Sequence, residues 1–213
     1  RKFIMALTTY ALLKTTIANY LNRTDLTSYL GDFITLTESR LNRELRVREM
    51  VNTDTTITTV SGTQSYSLPT GFLEAQAVIF QSDPYRTLRF RANGDFYRQY
   101  NISKTSGLPS FFTIVGSNIL LGVAPDSAKT LQIDYHKTIT ALSDSNTSND
   151  ILTNYPELYL YGSLAESSPF LMQDERLDTW GKLYKEALKN ANLSSEKGSI
   201  TSSPLQMSAT GIV

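Results

Sequence analysis

The sequence contains no cysteine, which excludes disulfide bonds, thiolate metal sites and cysteine nucleophiles. It also lacks an excess of charge, because 20 basic residues balance 20 acidic ones. General binders of nucleic acids or membrane surfaces need a basic excess that attracts phosphates, so neither class fits this chain. No apolar run approaches the ~20 residues that cross a bilayer, and no long hydrophobic segment follows the basic start at Arg1 and Lys2. We therefore expect neither a membrane segment nor a signal peptide.

Serine and threonine are abundant and make up nearly a quarter of the residues. With 213 residues, 40% of them hydrophobic, the chain is long enough for one large domain or two small ones. A neutral chain rich in Ser and Thr is typical of exposed β-structure and of surfaces that contact other proteins. The periodicity of the apolar residues divides the chain into three folded regions and a C-terminal arm.

Residues 1–52 have the apolar spacing of two helices that pair as a hairpin. Thr8 or Thr9 is a suitable N-cap for the first helix. The second apolar stripe runs from Leu30 to Leu45, and charged residues occupy the opposite face. In this face Arg40–Glu44 and Glu44–Arg48 are spaced four apart, so both pairs are expected to form. The face is a candidate contact between subunits, with these residues in it: Arg40, Arg43, Glu44 and Arg48.

Residues 53–142 change to a period of two and predict about seven short strands, as in an antiparallel sandwich or barrel. Residues 111–115 and 119–121 flank a turn and predict a hairpin, and residues 95–100 predict a short helix. Residues 87–91 predict one strand, with Arg89 and Arg91 on a shared face. Two interpretations remain for this pair. It is a stripe that faces a partner or DNA, or its charges protect an edge strand from pairing with other chains.

Residues 151–193 are helical again, because Pro156 suits the first turn of a helix and a later stripe includes Trp180 and Tyr184. The fold class is therefore α+β. We expect a helical bundle of two N-terminal and two C-terminal helices, an inserted antiparallel β-sandwich or barrel-like domain, and an extended C-terminal arm.

Residues 194–213 form the predicted arm, which is small, polar and interrupted by Gly and Pro. Fixing each residue costs roughly 1–2 kcal/mol of backbone entropy, and the few apolar residues of the arm cannot offset this cost. We therefore expect a surface outside the chain to order it, most simply by strand addition to the sheet edge of a partner. The apolar residues available for partner contacts are Ile200, Leu205, Met207, Ile212 and Val213.

Catalytic and metal-binding patterns are weak throughout the sequence. His136 is the only histidine and is expected to be a half-exposed residue of a strand, with no nucleophile motif elsewhere. Residues 144–150 alternate oxygen side chains as a calcium loop does, but lack its glycine and its bidentate glutamate. We predict no catalytic residue, no metal site and no cofactor. A carboxylate pair for glycoside hydrolysis remains an alternative, with Glu166 and one of three acids: Asp174, Glu175 and Asp178.

The order of these regions and several of their segments resemble the head-to-tail adaptor (connector) proteins of short-tailed and related bacteriophages. One of these segments is Tyr155-Pro156-Glu157-Leu158, near the start of the C-terminal helical region. The resemblance extends over nearly all of residues 5–193 and is carried by residues 5–14, 33–45, 66–72, 118–125, 155–162 and 174–177. Met5 is a plausible start within this pattern, and residues 1–4 depart from it.

The resemblance implies a structural virion protein at the head-tail junction, assembled in the host cytoplasm. Such adaptors form a ring, usually of twelve copies, between the portal protein and the tail proteins of the nozzle or tail tube. They line the channel through which double-stranded DNA leaves, without sequence-specific binding, and their C-terminal extensions often reach along the portal. Other virion roles, as a tail terminator or fibre-docking adaptor, remain open, and a cell-wall glycosidase is a more distant alternative.

Overall fold

A computed structural model describes residues 7–23, 25–99, 106–171 and 176–199. The fold is α+β, with six α-helices and ten short strands in the described residues. The chain divides into two compact units. One, the helical unit, comprises residues 1–49 and 139–213, and the other, the β unit, comprises residues 50–138. In the described residues no helix is both long enough and apolar enough to span a membrane.

The helical unit contains five of the helices: α1 (Tyr10–Leu21), α2 (Leu30–Glu44), α4 (Asp150–Asn154), α5 (Pro156–Glu166) and α6 (Arg176–Ser199). The predicted N-cap of α1 is confirmed, because the Thr9 side chain accepts a hydrogen bond from the backbone N–H of Leu12. Asn22 ends the helix in the left-handed conformation that Asn tolerates. Pro156 opens α5, as its position beside Glu157 predicts.

Helix α5 packs against α1, α2 and α6, and its contact with α2 is close. A β-carbon added to Gly162 would lie 2.4 Å from the Thr37 methyl group, so only glycine fits at this position. Trp180 and Tyr184 of α6 are buried, as their helical spacing predicts. Burial of such stripes, more than helix propensity, stabilises helices of this length.

Two predicted helix ends are wrong. Helix α2 ends at Glu44, so Arg48 lies beyond it in a 3-10 turn formed by residues 48–50. Helix α6 continues to Ser199, so residues 194–199, which were assigned to the arm, are helical. Helix α2 ends because the next residue, Leu45, has an extended backbone conformation. In this conformation the Leu45 side chain is fully buried.

The β unit contains two four-stranded sheets and a two-stranded one. The first sheet has the order β1-β10-β3-β4 and is antiparallel; its strands are β1 (Val51–Thr58), β3 (Phe72–Phe80), β4 (Arg86–Thr87) and β10 (Thr130–Lys137). The second has the order β2-β8-β7-β5. Its strands are β2 (Ser65–Ser67), β5 (Arg89–Phe90), β7 (Phe111–Val115) and β8 (Asn118–Leu121). The predicted short helix is present as α3 (Asn93–Gln99).

Both four-stranded sheets contribute to one hydrophobic core, which includes Val78, Phe112, Leu121 and Ile133. The predicted hairpin is confirmed, because β7 and β8 pair around a turn in which Gly116 has a positive φ. Two short pairings are parallel, contrary to the all-antiparallel prediction. They are β5 with β7, and β6 (Ser106–Gly107) with β9 (Ala124–Pro125).

Candidate functional site

The predicted subunit-contact face on α2 divides into residues used inside the helical unit and residues that remain exposed. Arg40 is 26% exposed and makes ion pairs of 3.2 Å with Glu44 and with Glu166 of α5. Its guanidinium also lies 4.4 Å from the ring centroid of Tyr184 on α6. The predicted Arg40–Glu44 pair is therefore confirmed, and Arg40 links three helices of its own chain.

The Glu44–Arg48 pair does not form, because α2 ends at Glu44. Arg48 instead pairs with Glu49 at 3.2 Å, and its backbone N–H donates to the Ser195 hydroxyl of α6. Arg43 and Glu44 are exposed on the last turn of α2. Glu44 also has contacts inside the helical unit, because it pairs with Arg40 and accepts a hydrogen bond from the Tyr184 hydroxyl.

A buried polar network in the helical unit was missed by the sequence interpretation, which placed the charged residues of the second helix on the face opposite the apolar stripe. Glu38 is only 5% exposed and accepts hydrogen bonds from the Leu142 backbone N–H and the Tyr159 hydroxyl. Burial raises the pKa of Glu38, and the two hydrogen bonds oppose that rise. Burial and the nearby Glu38 charge also raise the pKa of Tyr159. The spacing of Glu38 from Ile34 and Leu41 places it beside the apolar stripe, which was the available signal.

Asn149 completes this network at the start of α4. Its side-chain oxygen accepts from the Leu152 backbone N–H, and its amide donates to the Thr140 carbonyl and the Tyr159 hydroxyl. The Asn42 side chain of α2 accepts from the Ile139 backbone N–H. Residues 139–149 are thus held to α2 and α5 by side chains, although they contain no helix or strand.

Two oxygen-bearing side chains of the calcium-like loop at residues 144–150 have partners within the protein. Asp144 pairs with Lys14 at 2.9 Å, and Asn149 caps α4. In the described part of the chain no group of three or more His, Asp or Glu residues is arranged to hold a metal ion.

The predicted arginine stripe, formed by Arg89 and Arg91, is exposed. The single strand predicted for residues 87–91 is wrong, because this segment contributes to two short strands, β4 and β5. Residues 86–91 pass from one sheet to the other, because β4 pairs with β3 whereas β5 pairs with β7. The crossing occurs at Leu88, which is buried and donates its backbone N–H to Val78. Arg89 and Arg91 flank Phe90 and are both exposed, at the edge of the second sheet.

Two residues of the enzymatic alternatives, His136 and Glu166, have partners within the chain. His136 is buried in β10, not half-exposed, and its Nε2 lies 3.0 Å from the Gln76 side-chain amide. Glu166 is paired with Arg40, and Asp178 is exposed at the first turn of α6. Asp174 and Glu175 lie outside the described residues, as do all five residues predicted for partner contacts in the arm: Ile200, Leu205, Met207, Ile212 and Val213.

Two clefts are present in the β unit. One, of about 520 Å³, is lined mainly by polar residues of β1 and by residues 67–70. The other, of about 510 Å³, is more apolar and lies among β3, β5 and β7, where Phe72, Phe90 and Ile114 line it. These clefts, the exposed end of α2 and the arginine stripe are surfaces suited to protein contacts.

Comparison with known proteins agrees with the resemblance found in the sequence. The family model described as SU10 adaptor protein matches residues 8–208, a range that contains the whole β unit and most of the helical unit. A search of curated proteins gave no match. A family match over most of the chain indicates a structural role as a phage adaptor at the head-tail junction. The chain belongs to the SU10 adaptor protein family.

Proposed function

We propose that this protein is a non-enzymatic adaptor that joins the portal protein to the tail proteins in the neck of a phage particle. The observation that carries this proposal is the family match over residues 8–208, because it includes nearly the whole chain and not one module. Two residues of the enzymatic alternatives have internal roles, which supports this proposal: Glu166 pairs with Arg40, and His136 is buried.

The adaptor acts as a closed ring of copies, twelve of them by resemblance to connector proteins. Adjacent copies meet through exposed residues of the helical unit, among which Arg43 and Glu44 at the end of α2 are candidates. Double-stranded DNA passes through the lumen without specific binding. The zero net charge supports this role, because every phosphate neutralised by Lys or Arg adds affinity and would retard the passing duplex.

The C-terminal arm anchors each copy on the portal. Because residues 194–199 belong to α6, the proposed arm is confined to residues 200–213, a segment of 14 residues. It carries no charged side chain, and its apolar residues are spread along its length. Backbone hydrogen bonds to a sheet edge provide affinity to such a segment, while side chains such as Leu205 and Met207 enter pockets.

Deletion of residues 200–213 tests the arm and keeps α6 complete. We expect the truncated protein to fold with an unchanged far-UV circular dichroism spectrum and thermal midpoint, and to lose binding to purified portal rings. Native mass spectrometry of the mixture measures both the binding and the number of adaptor copies for each portal ring. The matched control is the full chain with Ser202 and Ser203 replaced by Ala, which keeps the length and the apolar residues of the arm.

Truncated protein that still assembles on portal rings would refute the role of the arm. Full-length protein that binds tail proteins but no portal would favour the alternative of a tail terminator or fibre-docking adaptor. Complexes without a ring of copies would contradict the connector role itself.

A further inference from the structure

The arginine stripe and the apolar cleft of the β unit lie at the same edge of the second sheet. Strand β5 is the last strand of that sheet, and Arg89 and Arg91 each donate a backbone N–H to the segment around β7, at Ser110 and Phe112. Successive peptide groups of a strand point in opposite directions. The N–H and C=O of Phe90 therefore point away from β7, and no strand of the described residues pairs with β5 on that side.

The two faces of β5 differ in chemistry. The Phe90 side chain lines the apolar cleft and is 60% exposed, although it contacts the Phe112 ring at a centroid distance of 5.7 Å. Arg89 and Arg91 lie on the opposite face by alternation, and the Arg91 guanidinium lies 4.8 Å from the ring centroid of Phe111. A strand placed beside β5 would meet apolar groups on one face and cations on the other.

The segment that contains β5 carries more positive than negative charge. Residues 85–98 contain four arginines and one aspartate, Asp95, which lies 4.0 Å from Arg98. No carboxylate of the described residues forms an ion pair with Arg86 or Arg89. Glu74, a carboxylate in the lining of the cleft, has its own interaction partner. The surface therefore has cations available to carboxylates of another molecule.

We propose that the open edge of β5 binds an extended protein segment in which apolar and acidic residues alternate. The apolar residues enter the cleft beside Phe90, the acidic residues pair with Arg89 and Arg91, and the backbone bonds to the free N–H and C=O of Phe90. Exposed aromatic and arginine side chains in one surface are typical of protein interfaces. Tyr85 at 69% exposure and Tyr97 at 45% are in the same stretch of sequence.

A DNA backbone is the competing ligand for the three arginines. Phosphates would engage Arg86, Arg89 and Arg91 but would leave the apolar cleft and the Phe90 backbone unused. The juxtaposition of cations, an apolar cleft and an unpaired strand edge favours a polypeptide. This contact site adds to the proposed portal and ring contacts and does not depend on them.

The test uses the full chain labelled with ¹⁵N and a synthetic eight-residue peptide, acetyl-(Glu-Val)₄-amide. We expect saturable NMR shifts that are largest at the amide of Phe90 and its neighbours. The same peptide with Lys in place of Glu should bind at least about tenfold more weakly, because its charges repel the arginines. A 20-base-pair DNA duplex is titrated in parallel.

Two variants locate the site on the protein. R89E/R91E should weaken binding of the Glu-Val peptide at least about tenfold, and F90S should weaken it without a change of charge. The matched control is K182E/K189E, which makes the same change of charge on exposed residues of α6 in the helical unit. Circular dichroism of each variant verifies folding, and R89Q/R91Q replaces the charge reversal if that variant does not fold.

Three results would overturn the proposal. They are an absence of shifts near Phe90, equal binding of the Glu and Lys peptides, and unchanged affinity in R89E/R91E. Tighter binding of the DNA duplex than of the Glu-Val peptide, lost in R89E/R91E but kept in F90S, would assign the stripe to nucleic acid instead.

Discussion

Glu38 joins separate segments of the helical unit, because its carboxyl group is buried and accepts hydrogen bonds from two donors in different segments. The Leu142 N–H lies 2.8 Å from its Oε1, and the Tyr159 hydroxyl lies 3.1 Å from the same atom. A buried donor without an acceptor costs about 1–3 kcal/mol. E38A should therefore lower the free energy of unfolding by about 2–4 kcal/mol, as measured by urea denaturation at pH 7.

The E38Q variant separates the role of charge from that of hydrogen bonding, because glutamine keeps an acceptor oxygen and cannot ionise. Burial raises the folded-state pKa of Glu38 above its ordinary value of 4.5. Protonated Glu38 therefore contributes stability that is complete below about pH 4.5 and is lost as the pH rises through the folded pKa. We expect the stability of wild type relative to E38Q to fall between pH 4 and pH 8. A difference that stays constant over this range would show that burial does not govern the ionisation of Glu38.

Arg40 and Arg43 show how neighbouring residues on one helix serve different purposes. Arg40 contacts α5 and α6 of its own chain through Glu166 and Tyr184, whereas Arg43 is exposed on α2. Sequence spacing treats them alike, because both lie opposite the apolar stripe. Arg40 therefore stabilises the packing of helices within its own chain, and Arg43 is the better candidate for contacts between copies.

At the scale of elements, the approach of α5 to α2 depends on Gly162. The β-carbon of an alanine there would lie 2.4 Å from Thr37 Cγ2 and 3.3 Å from a ring carbon of Tyr184. G162A should lower the free energy of unfolding by about 1–3 kcal/mol, because one helix must shift. In α6, G181A is the matched control, since no atom lies within 4 Å of its added β-carbon. It should raise stability by about 0.5–1 kcal/mol through helix propensity. Equal thermal midpoints for the two variants would contradict the close packing.

The elements that sequence predicts well are those whose signals are local. Thr9 as N-cap, Pro156 at a helix start and the hairpin turn that contains Gly116 each depend on residues only a few positions apart in the sequence, and all three are confirmed. Residues 86–91 are different, because the crossing at Leu88 depends on two partners outside the segment, Val78 before it and β7 after it. Alternation of residue types indicates only that a segment is extended. It therefore predicted one strand for residues 87–91, where the structure has β4 in the first sheet and β5 in the second.

The candidate site follows the same distinction. The exposure of Arg89 and Arg91 could be predicted from their charge and alternation. The cleft beside Phe90 could not, because it requires that β3, β5 and β7 meet in space. The spacing of Glu38 from Ile34 and Leu41 indicated its place beside the apolar stripe, but its donor could not be predicted, since the Leu142 N–H lies 104 residues away.

At the scale of the whole molecule, the division into two units indicates that the β unit is an autonomous part of the chain. Its first and last strands are neighbours, because Val51 of β1 pairs with His136 of β10 in the antiparallel register. The two ends of the unit therefore lie side by side, as is usual for modules inserted into another domain. The hydrophobic core of its sheets is formed by residues of this unit, from Ile57 to Tyr135.

The excised fragment of residues 50–138 should accordingly fold without the helical unit. We expect a soluble monomer with a β-type circular dichroism spectrum and one cooperative thermal transition, because both sheets and their shared core are retained. The control fragment, residues 59–138, lacks β1 (Val51–Thr58) and uncovers the edge of β10, and we expect it to aggregate or lose cooperativity. A 50–138 fragment with a random-coil spectrum would mean that the β unit depends on the remainder of the chain for its stability. Thermal unfolding monitored by circular dichroism measures the cooperativity of each fragment, and analytical ultracentrifugation shows whether it is a monomer or aggregated.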